Sequence, residues 1–131
     1  MKKYIFIGVG GALGALTRCA VNQIPLPFNS TIYHPLLTLL INISGSFLLG
    51  FLLRLFVKHW IVKPELRLGI TTGFLGGYTT FSTMCKESVL LSFSGHILFS
   101  AGYVIASVIF GLAAAWLGIL AAKRIERGHA S

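Results

Sequence analysis

The sequence predicts an all-α membrane protein of four transmembrane helices, and three observations carry that reading. The 131 residues are 55% hydrophobic and only 11% charged, with a mean hydropathy of +0.83. A soluble domain of this size carries about 25% charged residues. Four apolar segments can be drawn, at about residues 4–24, 36–57, 68–91 and 97–122. Each meets the ~20 residues that a helix needs to cross a bilayer. The connections are short, so a single four-helix transmembrane domain uses up residues 1–131.

The first segment follows Met-Lys-Lys, as a secretory signal peptide would. The further apolar segments behind it make it an uncleaved first helix instead. Gly8-Val-Gly-Gly-Ala-Leu-Gly14 is not a dinucleotide loop: its third glycine is out of register, no strand precedes it, and no acid follows at the right distance. Gly10 and Gly14 give a small-xxx-small face for close helix packing. Arg18 stands one turn further on that face, near the membrane boundary. It is either a functional intramembrane cation or a side chain snorkelling to headgroups. Pro25, Pro27 and Asn29-Ser30 mark the first loop.

In the second segment Thr38, Asn42, Ser46 and Gly50 are four apart, which sets them on one helix face. A buried Asn offers two N–H donors and one acceptor oxygen. It can glue two helices together or, stacked with Thr38 and Ser46, form a polar track through the bilayer. Tyr103, Ser107, Gly111 and Ala115 repeat the spacing in the fourth segment.

The third segment is the poorest helix. Gly69, Gly73, Gly76 and Gly77 each weaken it by about 1 kcal/mol relative to Ala. Thr71, Thr72, Thr79, Thr80 and Thr83 add β-branching and hydroxyls that compete for backbone hydrogen bonds. An unsatisfied backbone group in hydrocarbon costs several kcal/mol, so a break there survives only inside protein or beside a watery cavity. We therefore expect a broken third helix whose freed carbonyls are available to an ion. The alternative is an unbroken packing helix using Gly69, Gly73 and Gly77. Beyond the break Phe81, Met84, Cys85 and Ser88 share a face, while Glu87 approaches the far boundary.

These residues narrow the function. Glu65, Glu87 and Glu126 are the only acids, and none is expected mid-membrane. A proton-coupled cation exporter of the small multidrug resistance type needs a carboxylate at depth, so that class is disfavoured. The track reads as neutral, built from Thr38, Asn42, Ser46, Ser82, Thr83, Tyr103 and Ser107. Amide and hydroxyl hydrogens suit an anion, as does the electropositive ring edge of Phe81. The net charge of +8 forms no basic stripe along a soluble face, which excludes nucleic acid. Cys19 and Cys85 lie near opposite loops, and His34, His59, His96 and His129 share no ligand spacing. Nothing points to an enzyme. The residues alone describe a narrow pore or carrier for a small ion, with a non-conducting membrane scaffold or assembly subunit as the other class.

Gly10-Gly-Ala-Leu-Gly-Ala-Leu-Thr-Arg18, Asn42-Ile-Ser-Gly-Ser-Phe-Leu-Leu-Gly50 and Gly69-Ile-Thr-Thr-Gly-Phe-Leu-Gly-Gly-Tyr-Thr-Thr-Phe-Ser-Thr83 resemble the Fluc (CrcB) fluoride channels. Tyr103, Ser107 and Gly111 fit as well, so the resemblance covers the whole chain. It implies a fluoride-selective channel in the cytoplasmic (inner) membrane, through which cytoplasmic fluoride leaves passively and its toxicity falls. It also implies an antiparallel dimer, surrounded by lipid, with two fluoride pathways beside one structural sodium ion. By resemblance, the carbonyls of Gly76 and Thr79 from both subunits hold that sodium. Asn42 is the pore amide and Phe81 presents its ring edge to fluoride. Thr38, Tyr103 and Ser107 belong to the polar track, with Ser82 and Thr83 beside it, and Arg18 sits in a vestibule. Met84 stands where the family has a second phenylalanine; its thioether is polarizable but has no ring edge. Gly111 stands where relatives carry a hydroxyl.

Charge sets the expected topology. Lys2, Lys3, Arg54, Lys58, Lys63, Arg67, Lys123, Arg124 and Arg127 fall on one side, and Arg18 and Lys86 on the other, nine against two. Such a bias argues for one orientation with both termini cytoplasmic. The expected assembly is a homodimer inserted both ways. The alternative, which the bias favours, is a heterodimer with a paired homologue of opposite bias.

Overall fold

The computed structural model describes residues 1–24, 30–58 and 62–128. Pro25, Pro27, Asn29, His59 and His129 lie outside the described residues. Every described element is helical. Three are long: α1 (Lys2–Asn22), α2 (Ser30–Lys58) and α6 (Ile97–Gly128). Between α2 and α6 come four shorter pieces: α3 (Pro64–Leu68), a π-helical turn (Gly69–Leu75), α4 (Gly76–Tyr78) and α5 (Phe81–Phe93). Lys2–Asn22, His34–Val57 and Ile97–Arg127 are long and apolar enough to cross a bilayer.

Three bounds differ from the sequence expectation by more than two residues, the third segment already being helical from Pro64 rather than 68. α2 begins at Ser30 rather than 36 and carries Pro35 inside it; a proline more often opens a helix than stands within one. α6 runs to Gly128 rather than 122. Lys, Arg and Glu are good helix formers, and Glu126 is tied back to α2.

α1 packs on the π-helical turn and α4 through glycines on both sides. A Cβ added at Gly10 would land on the carbonyl oxygen of Gly69, and one at Gly14 on that of Phe74. In return, a Cβ at Gly77 would strike the carbonyl oxygen of Gly11, and at Gly73 that of Ile7. Here backbone touches backbone, which only small residues permit. Gly10 meets residues 69–74 and Gly14 meets Phe74 and Tyr78, so the two strands of helix rise in the same direction. Thr71 and Thr79 turn their hydroxyls onto the carbonyls of Arg67 and Leu75, at 2.9 Å each.

α2 and α6 also run parallel. A Cβ at Gly50 would meet the Ala115 carbonyl, one at Gly118 the Phe47 carbonyl, and one at Gly111 would lie 3.7 Å from Ser46 Oγ. The four-apart stripes of the two helices therefore face each other, Thr38 with Tyr103, Asn42 with Ser107, Ser46 with Gly111 and Gly50 with Ala115. Each pair is 65 positions apart. Past this seam Arg54 Nη2 donates to Glu126 Oε2 at 3.0 Å, with the Glu126 side chain buried. The outer faces are apolar and open: Leu13 and Leu16 on α1, and Ile109, Phe110, Leu112 and Trp116 on α6, are all exposed. An apolar surface so extensive marks contact with lipid or protein.

Thermal unfolding in detergent tests the glycine seam. Gly14→Val drives a side chain into the Phe74 carbonyl and is expected to prevent recovery of folded protein. Gly8, whose Cβ would meet nothing within 4 Å, is expected to accept Ala with unchanged or higher stability. Arg54→Met, which takes the guanidinium away from the buried Glu126 carboxylate, is expected to cost about 3 kcal/mol; an unchanged melting temperature would show that the pair contributes nothing.

Candidate functional site

α4 ends at Tyr78. Thr79 (φ −73°, ψ 155°) and Thr80 (φ −149°, ψ 108°) are extended, and α5 begins at Phe81. The Asn42 side chain spans this gap. Its Oδ1 accepts from the Thr80 N–H at 2.8 Å, and its Nδ2 donates to the Thr80 carbonyl at 3.1 Å. One amide thus satisfies both backbone groups of an extended residue, as a neighbouring β-strand would. It leaves Asn42 a second N–H. Ser44 Oγ, 3.0 Å from the Tyr78 hydroxyl, ties α2 to the residue before the gap.

The hydroxyl of Thr80 caps α5. Thr80 Oγ1 accepts from the Thr83 N–H at 3.2 Å and donates to Thr83 Oγ1 at 2.8 Å, with Ser82 Oγ at 3.4 Å. These bonds divert two donors. In an unbroken α-helix the Thr80 N–H would serve the Gly76 carbonyl and the Thr83 N–H the Thr79 carbonyl. Asn42 takes the first and the cap takes the second. A Cβ at Gly76 would meet nothing within 4 Å, so that residue opens outward. The two carbonyls that the resemblance assigns to sodium are thereby released from helical bonding. Backbone oxygen is the donor type that a hard cation takes. Among the described residues no group of three His, Cys, Asp or Glu could hold a metal, and Cys19 and Cys85 are free and exposed.

Asn42, Thr79, Thr80, Phe81, Met84 and Ser107 line a cavity of about 310 Å³, with Ser46 and Gly76 at its wall. Phe81 is 74% exposed, with its ring on the outside of the chain, while Met84 is only 5% exposed and packs with Leu91 and Tyr103. Ser107 Oγ donates to the Tyr103 carbonyl at 2.7 Å. Of the other sequence candidates, Ser82 is exposed and Thr83 half-buried, both around the Thr80 hydroxyl rather than in the cavity wall. Arg18 is half-buried; continuing the register of Gly10 and Gly14 brings it level with the gap.

Thr38 and Tyr103 form a separate group around a residue that the sequence reading left out. Thr38 Oγ1 donates to Glu87 Oε1 at 2.9 Å, and the Tyr103 hydroxyl donates to Glu87 Oε2 at 2.8 Å. The expectation of an all-neutral track is therefore corrected: a carboxylate stands at its outer end, held by two of its hydroxyls. The signal that was available is that Glu87 is the only acid between residues 66 and 125.

The model of the family described as "CrcB-like protein, Camphor Resistance (CrcB)" matches residues 5–119. The chain belongs to the CrcB family. This CrcB chain is 40% identical over 125 residues to the fluoride-specific ion channel FluC of Geotalea daltonii, covering 95% of this chain and 100% of that relative. It is 42% identical over 120 residues to the fluoride-specific ion channel FluC 1 of Brucella melitensis biotype 1, covering 90% and 97%. With the fluoride-specific ion channel FluC 2 of Staphylococcus saprophyticus the identity is 39% over 124 residues, covering 95% and 99%. A CrcB chain with three helices of spanning length is a multi-pass membrane protein.

The Asn42–Thr80 pair is expected to contribute measurably to the stability of this CrcB chain. Asn42→Ala strands a buried N–H and C=O and is expected to lower stability by about 2 kcal/mol or more. Thr80→Ala, which removes the cap, is expected to lose about 1 kcal/mol. Denaturant or thermal unfolding in detergent gives both values; an Asn42→Ala protein as stable as the parent would mean that the gap is held by something else.

Proposed function

We propose that this chain builds a fluoride-selective channel through which fluoride passively leaves the cell across the cytoplasmic membrane. The identity of about 40% to fluoride-specific ion channels over nine-tenths or more of the chain carries the reading. The cavity between Asn42, Phe81 and Ser107 supports it. A small, hard anion sheds water only where other hydrogens replace it. The second N–H of Asn42 and the ring edge of Phe81 offer such hydrogens, and a hydroxyl rotates to suit its partner. Thr38, Tyr103 and Ser107 can each swing a hydrogen from its present acceptor to the ion as it passes. Glu87 competes with the anion for the first two, which favours release over retention. The small multidrug exporter reading stays disfavoured, because Glu87 is engaged by two hydroxyls near one end of the track. The scaffold reading predicts no ion flux at all.

In the same reading residues 64–93 make one interrupted membrane crossing, and two copies pair antiparallel across their gaps. The Gly76 and Thr79 carbonyls of both copies would hold a sodium ion, which supplies a fixed positive charge that lowers the cost of a nearby anion. The start of α5 at Phe81 adds the positive end of a helix dipole to the same region. A homodimer inserted both ways is the simplest assembly. The nine-to-two charge bias favours a second reading, pairing with a homologue of opposite bias, and the numbered names FluC 1 and FluC 2 among the relatives are compatible with it.

Purified protein in liposomes is expected to release fluoride, and not chloride, once a potassium ionophore clamps the potential; equal chloride efflux defeats the proposal. If flux appears only after a homologue is co-reconstituted, the heterodimer replaces the homodimer. Phe81→Ile, which removes the ring edge, is expected to cut flux about tenfold or more, equivalent to about 1.4 kcal/mol in the barrier. Met84→Phe is expected to alter it by less. Sodium dependence of activity is expected to be alike in Thr79→Ser and Thr79→Ala, since the backbone and not the side chain would bind.

A further inference from the structure

The last turns of α6 change character along one face. Leu117, Leu120 and Ala121 give way to Lys123, Arg124 and Arg127, and together with Phe47 of α2 they line a groove of about 510 Å³. Positions three, four and seven apart stack on one side of a helix, so the apolar and basic parts form one continuous stripe. From Leu117 to Arg127 the helix advances about 15 Å, roughly the depth of hydrocarbon in one leaflet. Phe47, Leu117 and Leu120 are exposed. None of the three cations has a hydrogen-bond or ion-pair partner among the described residues; the one carboxylate on these turns, Glu126, is buried and joined to Arg54.

We propose that this groove binds one anionic phospholipid, with its phosphate held by Lys123, Arg124 and Arg127 and an acyl chain lying along Phe47, Leu117 and Leu120. Charge complementarity selects the occupant. A zwitterionic headgroup would bring its own cation against three others. Free phosphate would leave the apolar part of the groove unfilled, and the apolar face of a second copy would leave three cations without countercharge. This end of the molecule also carries nine of the eleven basic residues, which suits a leaflet rich in anionic lipid. The site lies on the α2–α6 outer groove, away from the Asn42 cavity, and does not depend on what the chain conducts.

Native mass spectrometry of the full chain, released from micelles doped with phosphatidylglycerol or phosphatidylcholine, tests the assignment. The parent protein is expected to retain one phosphatidylglycerol in preference to phosphatidylcholine. The triple variant Lys123→Gln, Arg124→Gln and Arg127→Gln is expected to weaken that binding by at least about tenfold, given the contribution of each cation at a lipid surface. The equally charged control Lys2→Gln, Lys3→Gln and Lys63→Gln is expected to change it less than about twofold. Equal loss in both variants would reduce the site to diffuse surface charge and overturn the proposal. So would displacement of the lipid by millimolar inorganic phosphate, or the absence of any preference over phosphatidylcholine. Leu117→Trp, which fills the apolar part, is expected to remove the lipid without changing oligomeric mass; if it instead splits the oligomer, the groove belongs to a second copy.

Discussion

One side-chain amide holds the centre of this molecule together. A chain that leaves helical geometry inside an apolar bundle exposes an N–H and a C=O that nothing nearby can hydrate. Asn42 satisfies both groups of Thr80 from a different helix. Much else follows from that bond. It fixes where α5 restarts and hence the direction in which Phe81 projects. It also diverts the donor that would otherwise close over the Gly76 carbonyl. A hydrophobic residue at 42 would pack as well and would leave the gap unsupported.

Around that bond, small residues set the distances. Gly10 and Gly14 bring α1 against the carbonyls of Gly69 and Phe74, and Gly50 and Gly118 do the same between α2 and α6. In lipid, helices gain little from burying apolar surface against each other, so close backbone approach and interhelical hydrogen bonds must supply cohesion. Two cohesive bonds of the second kind meet at Glu87, where Thr38 and Tyr103 reach across from α2 and α6. A third cross-tie, Arg54 with Glu126, closes the opposite end of the α2–α6 seam.

The parts legible in the sequence were those governed by a constant period. The stripes Thr38–Asn42–Ser46–Gly50 and Tyr103–Ser107–Gly111–Ala115 lie within uninterrupted helices, so spacing alone set their faces, and the structure turns them toward each other. The glycine run at 69–77 was legible both as a packing face and as weakness, and residues 69–80 carry both properties. The place of Glu87 between Thr38 and Tyr103 was not legible. Two extended residues at 79 and 80 reset the rotational phase of α5, and no count along the sequence tells which of its faces then turns toward α2 and α6. Phe81 and Met84, assigned together from spacing, also part company, although both lie in α5 beyond the gap. One ring lies on the outer surface, and the thioether lies in a packed cluster with Leu91 and Tyr103. The divided role of Asn42, part cavity wall and part backbone support, could not be read until the position of its partner was known.

The parallel α2–α6 seam makes an unusual demand on the inheritance of length changes. Because four successive pairs share one offset, deleting a residue within 103–115 rotates everything beyond it by about 100° and breaks every later pair at once. The Arg54–Glu126 tie would be lost with them. A residue gained or lost in the turn around Gly95 changes the offset in number but moves no pair within either helix. Length variation among descendants of this sequence should therefore collect in the turns and at the ends, while the two stripes drift by substitution alone.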